Sequence, residues 1–425
     1  MSVPLVRKVV RQDLEPTIGE IALMECFRHM TNHCIRIGLE FERENGVTPS
    51  MRKLSRLSYT HLKSYQCYAQ YRLCAISRAA GILSSRKKSI KRGFATRSPF
   101  VSKRMIVSCY GFDIQDGHLV IHLGSRTSES IALNSHTLEV ISNPLLRVCS
   151  FTLTEKSLCL CISKEVPKPN LSEVTGPIGV DRNLRNVTVG NEEAVTYYDV
   201  SKVSRIAENT RRIIASFKRD DRRVRQRLIS KYGNRRQERI ERILHLVSRD
   251  VVERAKAKRQ VIVFEEIKGI RKLYRKGNLQ VKSYRAQMNS WPFYEVKRQI
   301  EYKAAWEGVP TITLSRRETE GTTMDCPQCG ERLQVPVRRD RRHYRQLWCE
   351  RCERWRDRDL IAVLNISRRG WLRFDHSSKE GGAREAMRGN PEHEGEPVIL
   401  SRCLEVTRCI HARQNLMLDG VPTCQ

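Results

Sequence analysis

The 425-residue sequence has no apolar run approaching the roughly 18–20 residues that a membrane-crossing helix needs. Its opening stretch, MSVPLVRKVVRQDLEP, lacks the apolar segment of a secretory signal. The expectation is therefore a cytoplasmic protein with no membrane partner, joining the nucleoid when on DNA. Internal repeats are also missing, which argues against a solenoid. The 15 cysteines do not form a secretory disulfide pattern: Cys26, Cys67, Cys74 and Cys149 stand singly in apolar runs, where a thiol acts as a small hydrophobe. A reducing compartment fits that usage. Acidic residues are scarce, with 47 Asp and Glu against 78 Lys and Arg, leaving a net charge of +31. An excess this large fits a chain that neutralises phosphates and releases their counterions, so nucleic acid is the expected partner.

The length favours two to four domains. Residues 18–45 and 48–85 carry apolar positions near helical spacing, among them Ile21, Met24, Phe27 and Ile35, with Thr48-Pro49 as the second helix start. From residue 104 the pattern turns to strands. Met105 to Leu123 reads as a hairpin turning at Asp116-Gly117, and Arg147 to Val166 as another turning near Thr154–Ser157. Leu5–Arg11 reads as a first strand of the same β module, so the helical block is an insertion in it. Residues 203–258 read as two basic helices, with apolar stripes at Ile213, Phe217, Val224, Leu228 and at Ile240, Leu244, Val247, Val251, broken at Lys231–Asn234. Beyond about Asp375 periodicity fades, and residues 375–425 are expected to be mostly disordered.

Three acids stand at the ends of elements. Asp181 closes the apolar strand Gly176–Asp181, Glu265 ends the short run Val261–Phe264, and Asp359 opens the helix that begins at Asp357-Arg358-Asp359. An acid at a turn or a helix start is usually structural. Three together, at the ends of strands and at a helix start, suit hard divalent cations, which take a few carboxylates and leave positions for phosphate and water. Two such ions can activate water and stabilise the leaving oxygen of a phosphodiester. Cys326-Pro327-Gln328-Cys329 and Cys349-Glu350-Arg351-Cys352 have the spacing of a four-cysteine zinc ribbon, closed and so structural.

The order strand-Asp, helical insertion, strand-Glu, zinc ribbon, helix-Asp resembles the TnpB family of transposon-encoded RNA-guided nucleases and its relatives, the compact type V CRISPR effectors. Gly179–Asn186 resembles the first RuvC motif, Val263–Ile267 the second, and Asp357-Arg358-Asp359 the third. Ser290–Phe293, Glu301–Ala304 and Thr322-Thr323 resemble the segments before the ribbon. Ile361 and Val363 depart from the family's Asn and second Ala, and Glu353 stands where a Gly is common. The resemblance covers about residues 175–370. It implies an α/β multidomain protein: an RNase H-like RuvC domain (171–325 and 353–374) interrupted by a zinc ribbon (326–352). Before these would come a wedge-like β-barrel domain (1–17 and 98–170) with a helical recognition insertion (18–97). It implies Asp181, Glu265 and Asp359 as catalytic ligands of two Mg²⁺, with Mn²⁺ as an alternative, and one structural Zn²⁺ on Cys326, Cys329, Cys349 and Cys352. The partners would be a guide RNA from the transposon end and double-stranded target DNA beside a short flanking motif. Two rivals keep the fold: an RNA-guided repressor that does not cut, and a CRISPR effector. A strand-transferring transposase also uses three acids, but a ribbon between the second and third argues against it.

Overall fold

A computed structural model describes residues 5–124, 127–167, 173–217, 222–267, 269–275, 280–335 and 345–379. The chain divides into two compact units at the junction of Glu165 and Val166.

The first unit contains β1 (Leu5–Asp13), α1 (Ile18–Asn45), α2 (Met51–Ser58), α3 (Ala69–Lys91), β2 (Met105–Ser108), β3 (Phe112–Gln115), β4 (His118–His122), β5 (Ser128–Ala132), α4 (Ser135–Ile141), β6 (Arg147–Thr154) and β7 (Ser157–Glu165). One antiparallel sheet has the order β1-β7-β6-β2 and a second the order β3-β4-β5. Helices and strands share one core: Phe27, Met30, Leu54, Tyr71 and Leu83 pack with Ile106, Leu119, Phe151 and Leu160. The helical block is thus built on the same hydrophobic cluster as the sheets. Asp116 and Gly117 both adopt positive φ, 47° and 76°, as a two-residue hairpin turn requires. That turn joins β3 to β4, whereas the expected partner strand at Met105 belongs to the other sheet, against β6. The start of α2 is capped by Ser50, whose side chain accepts from the Lys53 N–H at 3.3 Å, not by Thr48. Pro49 occupies the residue before the cap, because its fixed φ suits the entry as well as the first turn.

The second unit contains β8 (Gly176–Arg182), β9 (Asn186–Gly190), β10 (Val195–Asp199), α5 (Ser201–Ala215), α6 (Arg222–Ala257), β11 (Gln260–Glu265), α7 (Lys282–Ser290), α8 (Phe293–Glu307), β12 (Thr311–Leu314), β13 (Gln346–Cys349), β14 (Arg354–Asp357) and α9 (Arg358–Lys379). Its main sheet runs β10-β9-β8-β11-β12. Of the first three strands the middle one, β9, is antiparallel to both β10 and β8, and β11 and β12 run parallel to β8. The period of two in a strand explains the layering. Along β11, Ile262 and Phe264 face a cluster with Leu244 and Val251 of α6 and Ile300 of α8. Val261 and Val263 face the opposite cluster, with Ile366 and Phe374 of α9. Helices therefore cover both faces, which is why this strand reads as a continuous apolar run.

Three sequence expectations change here. No break occurs at Lys231–Asn234: α6 continues through it, and Gly233 lies in mid-helix with open space where a side chain would be. A single glycine costs a helix only about 1 kcal/mol, too little to end it. The stripe Ile213–Leu228 is no core face, since Ile213 and Val224 are exposed. Finally, α9 extends to Lys379, into the segment expected to be disordered, and the remaining tail, 380–425, lies outside the described residues.

Close approach fixes α9 on β8. A Cβ at Gly179 would lie 2.3 Å from the Val363 carbonyl oxygen and 3.0 Å from the Ser367 nitrogen. Backbone against backbone has no flexible end to yield. Gly179→Ala is expected to lower stability by about 1–3 kcal/mol, read from the shift of the denaturant midpoint.

Candidate functional site

The parallel register of β8 and β11 sets the first two acids level. Val180 pairs with Phe264, and the next residues are Asp181 and Glu265, at the carboxyl ends of both strands. Asp359 reaches the same edge from the first turn of α9. The start of that helix is capped by Asp357, whose Oδ1 accepts from the N–H groups of Asp359 (2.9 Å) and Leu360 (3.2 Å). In this pair of aspartates, one side chain holds the helix start and the other faces the cluster. Asp181 and Asp359 are buried and Glu265 is half-buried.

Asn183, in the β8–β9 turn, joins two of the acids through one amide. Its Nδ2 donates to Asp181 Oδ2 at 2.7 Å and to Asp359 Oδ1 at 3.0 Å. Asn186 Nδ2 donates to Asp359 Oδ2 at 2.8 Å, and the Arg345 guanidinium donates to the same oxygen. Arg182 is buried behind the edge and donates to the main-chain carbonyls of Glu265 (2.6 Å) and Phe293 (3.0 Å). It fastens the end of β11 to the start of α8. None of these roles was legible beforehand, although Arg182, Asn183 and Asn186 all lie inside the stretch that resembles a first RuvC motif.

Burial raises the Asp181 carboxyl to about 7, and the charges of Glu265 and Asp359 push the same way against the Asn183 hydrogen bond. Burial also raises Glu265, opposed by the Arg182 charge. Such a group holds its proton unless a cation arrives, so the donor set fits hard divalent metal ions. The carboxylates remain spaced. Among the described residues, only the four cysteines bring three or more His, Cys, Asp or Glu ligand atoms within 4.8 Å of one another.

Those cysteines are Cys326, Cys329, Cys349 and Cys352. The Cys329–Cys349 and Cys326–Cys352 sulfurs are 3.4 and 3.9 Å apart. Tetrahedral zinc with bonds of 2.3 Å needs sulfurs roughly 3.8 Å apart, so the cluster suits one such ion. Burial disfavours the Cys326 thiolate, but backbone N–H groups of Cys329 and Gln328 outweigh it and lower this thiol to about 6. The ribbon's small core of Leu333, Leu347 and the cysteines takes in Ile361 of α9, so the unusual Ile is an anchor. Asn365 Nδ2 adds hydrogen bonds to the carbonyls of Thr322 (2.9 Å) and Asp325 (2.8 Å). Glu353, at the position where a glycine was anticipated, has φ 49° and so carries the strain a glycine would avoid.

Fold and site together define an α/β protein with a four-cysteine cluster beside an acidic sheet edge. A family model for the Cas12f1-like TNB domain matches residues 293–366, which include the ribbon and Asp359. The TnpB-like protein MJ0751 of Methanocaldococcus jannaschii is 27% identical over 238 residues, covering 54% of this chain and 80% of that protein. The TnpB-like protein MJ1635 of the same organism is 24% identical over 363 residues, covering 82% and 81%. A cryo-EM structure of a Cas12f1–sgRNA–target DNA complex has a similar fold, with a TM-score of 0.53 and 16% identity over 82% of each chain. These likenesses support a TnpB family protein related to the compact type V effectors. No helix among the described residues is long and apolar enough to cross a membrane.

The sign of the Asp181 shift gives a prediction for metal-free protein. A carboxyl that titrates higher when folded stabilises the fold at low pH and loses that contribution as pH rises from about 4 through about 7. Stability in chelator should therefore fall across this range. Asp181→Asn should flatten the fall, as measured by denaturant midpoints at stepped pH.

Proposed function

We propose that the chain is an RNA-guided DNA endonuclease that hydrolyses phosphodiesters at the edge formed by Asp181, Glu265 and Asp359. The carrying observation is the convergence of these three acids, from β8, β11 and α9, on one sheet edge. The strand order β10-β9-β8-β11-β12, with its antiparallel and parallel halves, supports an RNase H-like RuvC domain over 171–325 and 353–374, interrupted by a zinc ribbon over 326–352. The first unit's sheets and helices support a wedge domain over 1–17 and 98–170, with a recognition insertion over 18–97.

Two Mg²⁺ ions held by the three carboxylates would supply an activated water and charge stabilisation at the leaving oxygen. The remaining work belongs to the protein. Asn183 and Asn186 orient Asp359, and Asn183 ties it to Asp181. Arg182 fixes the backbone that carries Glu265. The four cysteines would hold a structural zinc and so fix the ribbon, whose core is joined to the start of α9 by Ile361 and Asn365.

The +31 charge fits a protein that grips both a guide RNA, made from the transposon end, and a heteroduplex on double-stranded target DNA. Base pairing would read the target while the protein reads a short flanking motif. The Cas12f1 complex, which contains sgRNA and target DNA, supports those partners.

Asp181→Ala, Glu265→Ala and Asp359→Ala are each expected to lower Mg²⁺-dependent cleavage by roughly 10²–10³-fold or more, without additivity. Guide-directed DNA binding should persist in all three. Asp357→Ala should keep cutting while losing about 1 kcal/mol of stability with its cap. The assays are cleavage of matched duplex with Mg²⁺ or chelator, and a gel shift on the same DNA. Unimpaired cutting by all three variants would remove the mechanism.

For the ribbon, elemental analysis should find one zinc per chain. Cys349→Ser should lower that content and destabilise the second unit, since the site's binding energy is folding energy. Soluble, active protein without zinc would contradict the assignment.

A further inference from the structure

Cys26 and Cys67, which stand singly in the sequence, meet in the first unit. Cys26 is half-buried on α1, and Cys67 is buried in the segment that leads into α3. Met30 follows Cys26 by one helical turn, on the same side of α1. Its Sδ lies 3.8 Å from the Cys67 Sγ, so the approach to α3 is seated against this side of the helix. The Cys26 thiol is itself within hydrogen-bonding reach of the Cys67 sulfur. Other thiols of this core are sealed or engaged: Cys34 is fully buried, and Cys74 Sγ lies 3.4 Å from Ser108 Oγ.

A guanidinium completes the pair. Arg72 Nη2 donates to the carbonyls of Tyr65 (3.0 Å) and Lys63 (3.4 Å), which anchors it beside the turn that carries Cys67. Its Nε is buried without a hydrogen-bond partner. A neutral thiol is a poor acceptor for such a donor, and a thiolate is a good one. Hydrogen bonding from the Cys26 thiol, and then the Arg72 charge, hold the Cys67 thiol below its ordinary range against the effect of burial. The same hydrogen bond, together with burial, pushes the Cys26 thiol up. Burial lifts Cys34 to about 11, against a hydrogen bond with Ser58. The three neighbouring thiols are therefore unequal: Cys67 ionises most readily, Cys26 donates to it, and Cys34 stays neutral.

We propose that Cys26 and Cys67 are a redox-active pair, which a peroxide converts into a disulfide joining α1 to the entry of α3. The Cys67 thiolate attacks one peroxide oxygen. An S–O bond forms, the O–O bond breaks, and the departing hydroxide takes a proton to become water. Cys26 then gives up its proton and attacks the sulfur of the Cys67 sulfenic acid. An S–S bond forms, the S–O bond breaks, and the second oxygen leaves as water. Two thiols are oxidised to one disulfide, and one peroxide is reduced to two waters. A dithiol reductant reverses the change. The bridge pins α1 to the start of a helix that shares its core. It concerns the first unit alone and is independent of whether the acidic edge cuts DNA.

The test uses the full-length protein, reduced, desalted and treated with hydrogen peroxide, then alkylated and digested without reductant. Mass spectrometry should find the Cys26 and Cys67 peptides linked and lighter than their sum by two hydrogens, with Cys34 and Cys74 still alkylated. Dithiothreitol should restore both thiols. In Cys26→Ser the reaction should stop at the Cys67 sulfenic acid, which dimedone traps. Linkage should speed up with pH as Cys67 ionises. Arg72→Gln should move that rise to higher pH and slow linkage at neutral pH about threefold, since the smaller thiolate fraction is partly offset by a more nucleophilic sulfur. Folded wild type that yields no linked peptide, while peroxide oxidises its other cysteines, would overturn the proposal. So would linkage of Cys67 to Cys34 as often as to Cys26, or linkage that appears only in denaturant.

Discussion

Three carboxylates drawn to one buried edge repel one another, and much of the second unit's architecture answers that repulsion. Burial and the neighbouring charges disfavour the Asp181 carboxylate, and burial disfavours that of Glu265. The sheet takes the first step, because the parallel pairing of β8 with β11 sets Asp181 and Glu265 side by side whatever their charge. Hydrogen bonds take the second: Asn183 spans Asp181 and Asp359, and Asn186 and Arg345 share the other oxygen of Asp359. Arg182 works from behind, stiffening the backbone of Glu265 while staying off its carboxylate. The result is an edge that keeps its shape and retains affinity for positive charge.

What could be read in the sequence follows from the range of each interaction. The strands were legible because alternation is local: β11 is an apolar run bounded by its acid, and β8 ends in Asp181-Arg182. The turn at Asp116-Gly117 was legible for the same reason. The partners of Asp359 were not, since Asn183 lies 176 positions away and nothing near either residue announces the pairing. Choosing Asp359 over Asp357 depended on the family resemblance, and the cap bonds of Asp357 give the difference a physical content. The break expected at Lys231–Asn234 failed because local propensity was weighed without its competitor, the cooperative extension of a long helix. The first unit was read as strands plus an inserted helical block, but a shared core depends on contacts that no short window contains.

The ribbon reverses this balance. The gathering of its four cysteines was legible from spacing alone, since a two-residue gap already sets each pair on one turn. Its attachment was not. Ile361 looked like a deviation and lies fully buried among the ribbon's apolar residues. Glu353 also looked like a deviation, and its left-handed backbone marks a true strain.

The length of α6 has a geometric consequence. Its buried residues begin at Ile240, so the half from Arg222 onward is not held in the core. Because α6 leads into β11 through a short turn, it runs back along the sheet, and its early half overhangs the edge where β11 ends. At 1.5 Å per residue that overhang is about 27 Å. It is dense in arginine, with Arg222, Arg223, Arg225, Arg227, Arg235 and Arg236 along it. Its far charges stand more than a Debye length, about 8–10 Å, from the acids. At that range they leave the protonation of the acidic edge to its near neighbours, so this half of the helix adds positive charge to the unit without altering the acids.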